Sequence, residues 1–271
     1  MSARRSLLGA LAPYAQLAEK AFAREATYRI EAFSNVGSVV LRVYLFRQLW
    51  SALYAHNAAP RGIPLHAMLT YATVALLISL VLEVDGTRLL QTKLRDGSIV
   101  TDFMKPLNLP AFFFSDGLGQ TLFSAVAIVP ALALSLLLVR IDVPSPATLL
   151  AFALSFALGY TVNFLINFLM NAVAFWTLEI HAIQLMLRWA SDLLSGQLVP
   201  LVFFPGLLGR IVEALPFAAI YSDPLRIYIG DLPPERWAAT FAVQAAWIGL
   251  FALLAAVVWQ RGARRVVIQG G

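Results

Sequence analysis

The stretch of sequence that decides the fold is residues 65–84, LHAMLTYATVALLISLVLEV, in which Glu83 is the only Asp, Glu, Lys or Arg. A helix needs about 20 mostly apolar residues to cross the hydrocarbon core of a bilayer. This stretch meets that requirement, and it has no glycine or proline to interrupt a helix. The sequence therefore predicts a membrane-spanning helix here.

The composition of the whole chain agrees with a lipid environment. Of the 271 residues, 60% are hydrophobic and only 13% are charged, which is too little polar side chain to cover a soluble core. The absence of cysteine excludes a disulfide scaffold, thiolate metal sites and cysteine nucleophiles. The net charge of +5 comes from basic residues spread between apolar stretches, not from runs or patches, so nucleic-acid binding is not favoured.

Further stretches along the chain also have the length and apolar character of a spanning helix. Clusters of proline, glycine and charged residues separate them, and we find no internal repeat or second domain. The chain is thus predicted to be an all-α membrane protein with a single transmembrane domain over residues 1–271. The six predicted spans are 33–55, 65–84, 111–139, 147–176, 183–205 and 237–260.

Arginine and lysine are concentrated before the first span, between spans two and three, and after the last span. Basic residues accumulate in the cytoplasmic connections of membrane proteins. This distribution predicts that both termini are cytoplasmic.

Two cytoplasmic segments outside the spans carry information. Residues 11–32 place apolar side chains at helical spacing, which predicts an amphipathic helix on the membrane surface, with a solvated helix as the alternative. Residues 86–105 form a long loop that we divide into two short helices, because Asp96-Gly97 and Lys105-Pro106 are typical helix ends. Loops of this length are usually functional.

On the outer side, residues 206–230 are apolar but interrupted repeatedly by proline and glycine. The resulting pieces are too short to span a bilayer. They are predicted to be re-entrant or interfacial helices buried against protein.

An intramembrane serine protease was considered on the basis of Ser195 and His181. The Gly-x-Ser-Gly turn is absent, however, and no histidine is placed to act as the base. The predicted topology puts His56 and His66 at the outer surface and His181 at the inner one, so they cannot converge on a metal. The chain also has no glycine-rich phosphate loop. We therefore predict no catalytic residues, no metal site and no cofactor bound by this chain.

Charged residues inside a bilayer are usually paired or functional. We expect Arg42 to pair with Glu83 or Asp85 near the inner end of span two, and Arg47 to pair with Asp192 at greater depth. The alternative for these residues is a substrate or proton pathway.

Asn163, Asn167 and Asn171 recur every four residues and share one face of span four. Asparagine in a membrane helix prefers a hydrogen-bond partner on a neighbouring helix. Contacts between helices are the favoured interpretation, and the lining of a cavity is the alternative.

Three motifs, in this order of elements, carry a family resemblance. RDGSI at 95–99 is followed by FMKPL at 103–107; SGQLVPL at 195–201 is followed by FP at 204–205; and LPF at 215–217 is followed by Pro224 and Gly230. Over essentially its whole length the chain resembles the membrane subunit of type-2 ABC exporters. It is most similar to the bacterial subgroup of stand-alone six-span permeases whose ATPase is a separate polypeptide.

The resemblance implies that residues 86–105 contain coupling helices that dock on a cytoplasmic ATPase, which would bind the ATP and Mg. The alternative is a loop that packs only on the N-terminal helix of this chain. The residues expected to make the ATPase contact are Leu94, Asp96, Gly97, Ile99, Asp102 and Lys105.

The resemblance also implies export across the bacterial cytoplasmic (inner) membrane by a pair of permeases, either a homodimer or a heterodimer. The candidates for its outer gate are Pro200, Pro205 and Pro216. The apolar, aromatic-rich spans favour an amphipathic or hydrophobic substrate. Two other classes remain open: a secondary transporter or channel without an ATPase, and a membrane scaffold protein.

Overall fold

The computed structural model describes residues 2–27, 29–55, 62–177 and 179–269, with side chains over 12–27, 34–55, 62–177 and 179–265. The model is 78% helix, and the described residues contain no strand. The helices are α1 (Ser2–Glu25), α2 (Arg29–Tyr54), α3 (Leu65–Leu82), α4 (Arg88–Arg95), α5 (Ile99–Phe103), α6 (Leu109–Val126), α7 (Ile128–Ser135), α8 (Pro146–Ala172), α9 (His181–Leu194), α10 (Gly206–Ala214), α11 (Ser222–Tyr228) and α12 (Pro234–Gln269).

Among the described residues, four helical segments are long and apolar enough to cross a membrane: Leu65–Leu82, Leu109–Ser135, Pro146–Phe175 and Pro234–Arg265. The first of these, α3, is by far the most buried. It is apolar around its whole circumference, as expected for a helix at the centre of a bundle. Four of the six predicted spans are therefore matched by helices of this kind.

The predicted span 111–139 is divided into α6 and α7 at Ala127. Pro130 lies at the start of α7 and has no N–H to donate to the carbonyl of Val126, four residues earlier. The Ala127 N–H turns back to the Ser124 carbonyl at 3.0 Å, which tightens the helix at this point.

The prediction that 183–205 is one continuous span is wrong. Helix α9 ends at Leu194, and the chain continues through irregular backbone to a short 3₁₀ turn at Leu201–Phe203. Gly196 adopts φ +87°, a left-handed conformation that other residues rarely adopt, and Pro200 immediately precedes the 3₁₀ turn. These two residues prevent a regular helix from reaching residue 205.

The predicted amphipathic helix 11–32 also has different bounds. Helix α1 ends at Glu25, α2 begins at Arg29, and residue 28 lies outside the described residues. Helix α1 packs along α6, where the Arg24 guanidinium donates two 3.1 Å hydrogen bonds to the Asp116 carboxylate. This ion pair fastens the N-terminal helix to the bundle.

Tyr14 of α1 and the C-terminal half of α12 lie at the same end of the bundle as α4 and α5. The Tyr14 hydroxyl of α1 accepts a 3.1 Å hydrogen bond from the Asn108 N–H, just after α5. In the C-terminal half of α12, Trp259 lies with its ring 5.9 Å from that of Phe103 in α5. Trp237, at the start of α12, packs instead near α11 and the start of α8.

As predicted, the segment between α9 and α12 contains only short helices, α10 and α11. It is anchored to the bundle by Gln244 of α12, which is fully buried. The Gln244 amide donates to the Ala219 carbonyl at 3.0 Å and to the Ser155 carbonyl at 3.1 Å. One side chain thus connects α12, α8 and the segment that precedes α11.

Candidate functional site

Helices α4 and α5 form a compact pair at one end of the bundle. Gly97 separates them with φ +78°, and the Asp96 carboxylate accepts a 2.9 Å hydrogen bond from the Ser98 N–H. The hydrogen bonds from Ser98 hold the pKa of Asp96 below its usual value. The two short helices lie where the sequence predicted them.

An apolar anchor holds this helical pair against the bundle. Leu90 of α4 and Ile99 of α5 are completely buried or nearly so, and they belong to one cluster with the aromatic side chains of α6, α8 and α12. Trp259 is central to this cluster, since its ring lies within 6.2 Å of Phe103, Phe113, Phe168 and Phe175. The α4–α5 pair is therefore packed directly on the ends of the long helices.

A charged clamp reinforces the anchor. The Asp102 carboxylate is only 1% exposed and contacts the Lys93 and Lys105 ammonium groups, each at 2.6 Å. Burial alone would raise the pKa of Asp102, but the ammonium groups of Lys105 and Lys93 outweigh it, so the pKa lies below its usual value. Asp102 is thus an ionised group that ties α4 to the end of α5.

The structure separates the six predicted ATPase-contact residues into two groups. Asp96, Gly97 and Lys105 are exposed, and Leu94 is half-buried. Ile99 and Asp102, by contrast, lie inside the chain, where they support the segment and are not available for direct contact with a partner. A match to a sequence motif cannot separate the exposed residues from the buried supporting ones. The burial of each residue depends on how the segment packs against α6, α8 and α12.

Sequence reasoning missed two exposed apolar residues in the same segment. Val100 is 45% exposed and Met104 is 82% exposed. They are four residues apart and so lie on the same side of α5 and its C-terminal end. The signal that could have found them is the contrast with Ile99 and Phe103, which lie about 100° around the helix and pack on the bundle.

Above α4, a polar network connects several helices. The Asn171 amide of α8 donates to the Thr87 hydroxyl at 2.6 Å and to both Asp85 oxygens at 3.2 Å. Gln184 of α9 donates in turn to the Asn171 Oδ1 at 2.8 Å and to the Gln91 Oε1 of α4 at 3.1 Å. The network therefore links α4 to both α8 and α9 by hydrogen bonds.

The three asparagines of α8 make the predicted kind of contact in two cases. The Asn163 amide donates to the Leu82 carbonyl of α3 at 2.8 Å, and Asn171 belongs to the network above. Asn167 donates instead to the Asn163 carbonyl in its own helix at 3.0 Å. Asn163 and Asn171 thus join neighbouring elements by hydrogen bonds.

Of the two expected partners of Arg42, the structure pairs it with Glu83. The Arg42 guanidinium lies 3.4 Å from one Glu83 oxygen, and the Arg188 guanidinium of α9 lies 3.5 Å from the other. Arg47 is exposed, and within the described part of the chain it forms no ion pair with Asp192. Arg188 was absent from the sequence-based set of intramembrane charges.

The three proline candidates all lie at helix boundaries. Pro200 immediately precedes the 3₁₀ turn, Pro205 immediately precedes α10, and Pro216 lies two residues after the end of α10. Pro200 is buried, Pro205 is exposed and Pro216 is intermediate.

The apolar helices, the anchored α4–α5 pair and the short helices before α12 define a multi-pass helical membrane protein. The sequence profile described as ABC-2 family transporter protein matches residues 39–270. The chain therefore belongs to the ABC-2 transporter family, whose members are membrane permeases of ABC transporters. Neither the search of curated proteins nor the search of solved structures returns a match.

Proposed function

We propose that this chain is the membrane-spanning permease subunit of an ATP-driven exporter. A separate cytoplasmic ATPase would bind ATP and Mg, and its hydrolysis cycle would drive an amphipathic or hydrophobic substrate outward. In this arrangement α2 and the interrupted segment that runs from α9 through irregular backbone to the 3₁₀ turn at Leu201–Phe203 complete the set of six spans. Both termini and the α4–α5 pair lie on the cytoplasmic side of the bacterial inner membrane.

The observation that carries the proposal is the construction of the α4–α5 pair. Its inner side is fastened by Ile99, Leu90 and the Asp102 clamp, while its outer side presents Val100 and Met104. Exposed apolar side chains on a rigid support are typical of a protein-docking surface. A partner that pushes on this surface acts on the bundle, because the support is rigid.

The polar network supplies a physical route for coupling. Gln91 in α4 and Thr87 before it are bonded to side chains of α9 and α8. A displacement of α4 by closure of the ATPases would therefore shift both helices, one of which, α9, ends in the irregular segment that contains Pro200. That segment, with Pro205 and Pro216 flanking α10, is where we propose that the outer gate opens.

The test is capture of the ATPase by the full-length chain in mild detergent, with identification of the bound proteins by mass spectrometry. We expect an ABC ATPase at one copy per permease. Met104→Asp should weaken capture by about 30-fold, since loss of a central apolar contact costs about 2 kcal/mol. Val143→Asp is the matched control, because Val143 is 80% exposed but lies in the connection between α7 and α8.

Recovery of a second, different permease would identify a heterodimer. Recovery of two copies of this chain without another permease would identify a homodimer. A chain that moves substrate in proteoliposomes without any ATPase, and does so equally well with Met104→Asp, would contradict the proposal. That result would instead support a secondary transporter.

A further inference from the structure

A second polar site lies where α2, the end of α3 and α9 come together. Its centre is the Glu83 carboxylate, both of whose oxygens are already engaged. One oxygen accepts a 3.0 Å hydrogen bond from the Gln197 amide and lies 3.4 Å from Arg42; the other lies 3.5 Å from Arg188. Glu83 thus holds two arginines from different helices in place and has little capacity for a further ligand.

The two arginines, by contrast, have unused capacity. A guanidinium carries five N–H donors. Arg42 and Arg188 each contact Glu83 through a single nitrogen. The contacts are longer than the 2.7–2.9 Å typical of such charged hydrogen bonds. The side chains of Arg42 and Arg188 are 41% and 63% exposed. Their remaining N–H groups are available to an acidic group.

Two polar groups beside the arginines lack a partner. Asp192 follows Arg188 by four residues on α9 and so shares its face; it is half-buried and forms no hydrogen bond or ion pair with any described residue. The hydroxyl of Tyr221, a residue that is only 3% exposed, is buried without a hydrogen-bond partner and lies in range of the charges of Arg42 and Arg188. Buried polar groups are nearly always paired, so the Tyr221 hydroxyl indicates a missing partner, while the half-buried Asp192 carboxylate remains open to a cationic group.

Apolar surface adjoins the charged groups. Leu45 and Leu49 follow Arg42 by three and seven residues, and so share its face of α2; they are 53% and 51% exposed. Leu185 precedes Arg188 by three residues on α9 and is 47% exposed. A ligand bound at the charged groups would therefore find a surface for an apolar tail.

We propose that this polar site binds the head group of a zwitterionic amphiphile, with its acidic group on Arg42 and Arg188 and its amine on Asp192. The formal charges of the two arginines and the two carboxylates cancel at neutral pH. A purely acidic ligand would leave Asp192 unpaired, and a purely cationic one would leave the arginines unused. As a statement about exported substrate the assignment rests on the proposed function, but the binding itself does not.

Binding is tested on the purified full-length chain in nonionic detergent without an ATPase. Three probes with the same alkyl chain are compared: a lysophosphatidylethanolamine with both charges, a lysophosphatidic acid without the amine, and an alkylamine without the phosphate. We expect the first to bind about tenfold more tightly than the others, as the loss of one charged contact predicts.

Variants assign the contacts. Asp192→Asn should abolish the preference for lysophosphatidylethanolamine over lysophosphatidic acid, and Arg188→Gln should weaken both by about tenfold. Arg210→Gln is the matched control, because Arg210 is exposed on α10 and is not part of the polar site. Equal binding of the three probes, or binding that is unchanged in Asp192→Asn and Arg188→Gln, would overturn the proposal.

The source of the ligand is decided with the reconstituted transporter. Release of the bound lysophosphatidylethanolamine on addition of ATP would identify it as substrate, and its retention would identify a lipid that stays with the protein; both results uphold the site. Failure of ATPase capture together with selective binding would refute only the proposed function. Intact ATPase capture without selective binding would refute only this site.

Discussion

Replacement of Asp102 by Asn removes the negative charge that lies between two lysines. The substitution keeps the size of the side chain but leaves the Lys93 and Lys105 ammonium groups without their counter-ion at 2.6 Å. Because Asp102 is 1% exposed, water cannot fully replace it. We expect the α4–α5 pair to detach more readily from the bundle while the remaining helices stay folded.

The magnitude follows from the exposure of the two lysines. Lys93 is 20% exposed, so its contact is worth about 1.5 kcal/mol, at the low end for a hydrogen bond to a charged group. Lys105 is 50% exposed, and solvent screening reduces its contact to about 0.5 kcal/mol. The total of about 2 kcal/mol corresponds to a roughly 30-fold increase in the open population.

Hydrogen exchange measured by mass spectrometry is the suitable assay, since it reports local opening. The backbone amides of residues 88–105 should exchange about 30-fold faster in Asp102→Asn, with no comparable change in α3. Asp96→Asn is the control, because Asn retains an oxygen that can accept the bond from the Ser98 N–H. Exchange of 88–105 at the wild-type rate would show that the clamp does not hold this segment.

Three further results are expected. Asp102 has a lowered pKa in the folded protein, so its contribution to the stability of the α4–α5 pair is fully present above its unfolded pKa of about 3.9 and is lost as the pH falls through the lower folded value. Residues 88–105 should therefore loosen only below about pH 4, and loosening already at neutral pH would contradict this. Asp116→Asn should weaken the attachment of α1 by only about 1 kcal/mol, because the Arg24 side chain is half-exposed and its ion pair is screened by solvent. Hydrogen exchange of residues 12–25 should become selectively faster, and an unchanged rate would argue against this ion pair as the attachment of α1. Gln244→Met should lower the free energy of unfolding by about 1–3 kcal/mol, because it leaves Ser155 and the Ala219 carbonyl unpaired. Adding Ser155→Ala should recover part of this loss, and no recovery would contradict the reasoning.

The sequence predicted the helical class and the principal interruptions of the chain. The apolar run at 65–84 is the buried central helix α3, and Gly97 separates α4 from α5 as expected from the Asp96-Gly97 pair. These features are local, because they depend on the apolar content of one segment or on the backbone freedom of one residue. The early end of α9 at Leu194 was missed, although Gly196 and Pro200 were visible, because the apolar content of 183–205 outweighed them in the prediction.

The candidate site shows the opposite dependence. The rotation of α2 and α9 about their axes decides which charged groups meet, and no local sequence pattern specifies that rotation. It brings Arg42 and Arg188 to Glu83 and leaves Arg47 away from Asp192.

By itself, then, the sequence determined that this protein is a helical membrane protein, where several of its helices lie along the chain, and which segments carry polar residues. Only the tertiary structure decided that Ile99 and Asp102 face inward while Val100 and Met104 face outward. It also decided that Asp192 and Tyr221 are left without partners beside two arginines. The physical reason is that the identity of a residue sets what contacts it can make, whereas burial and pairing are set by neighbours that come from distant parts of the chain.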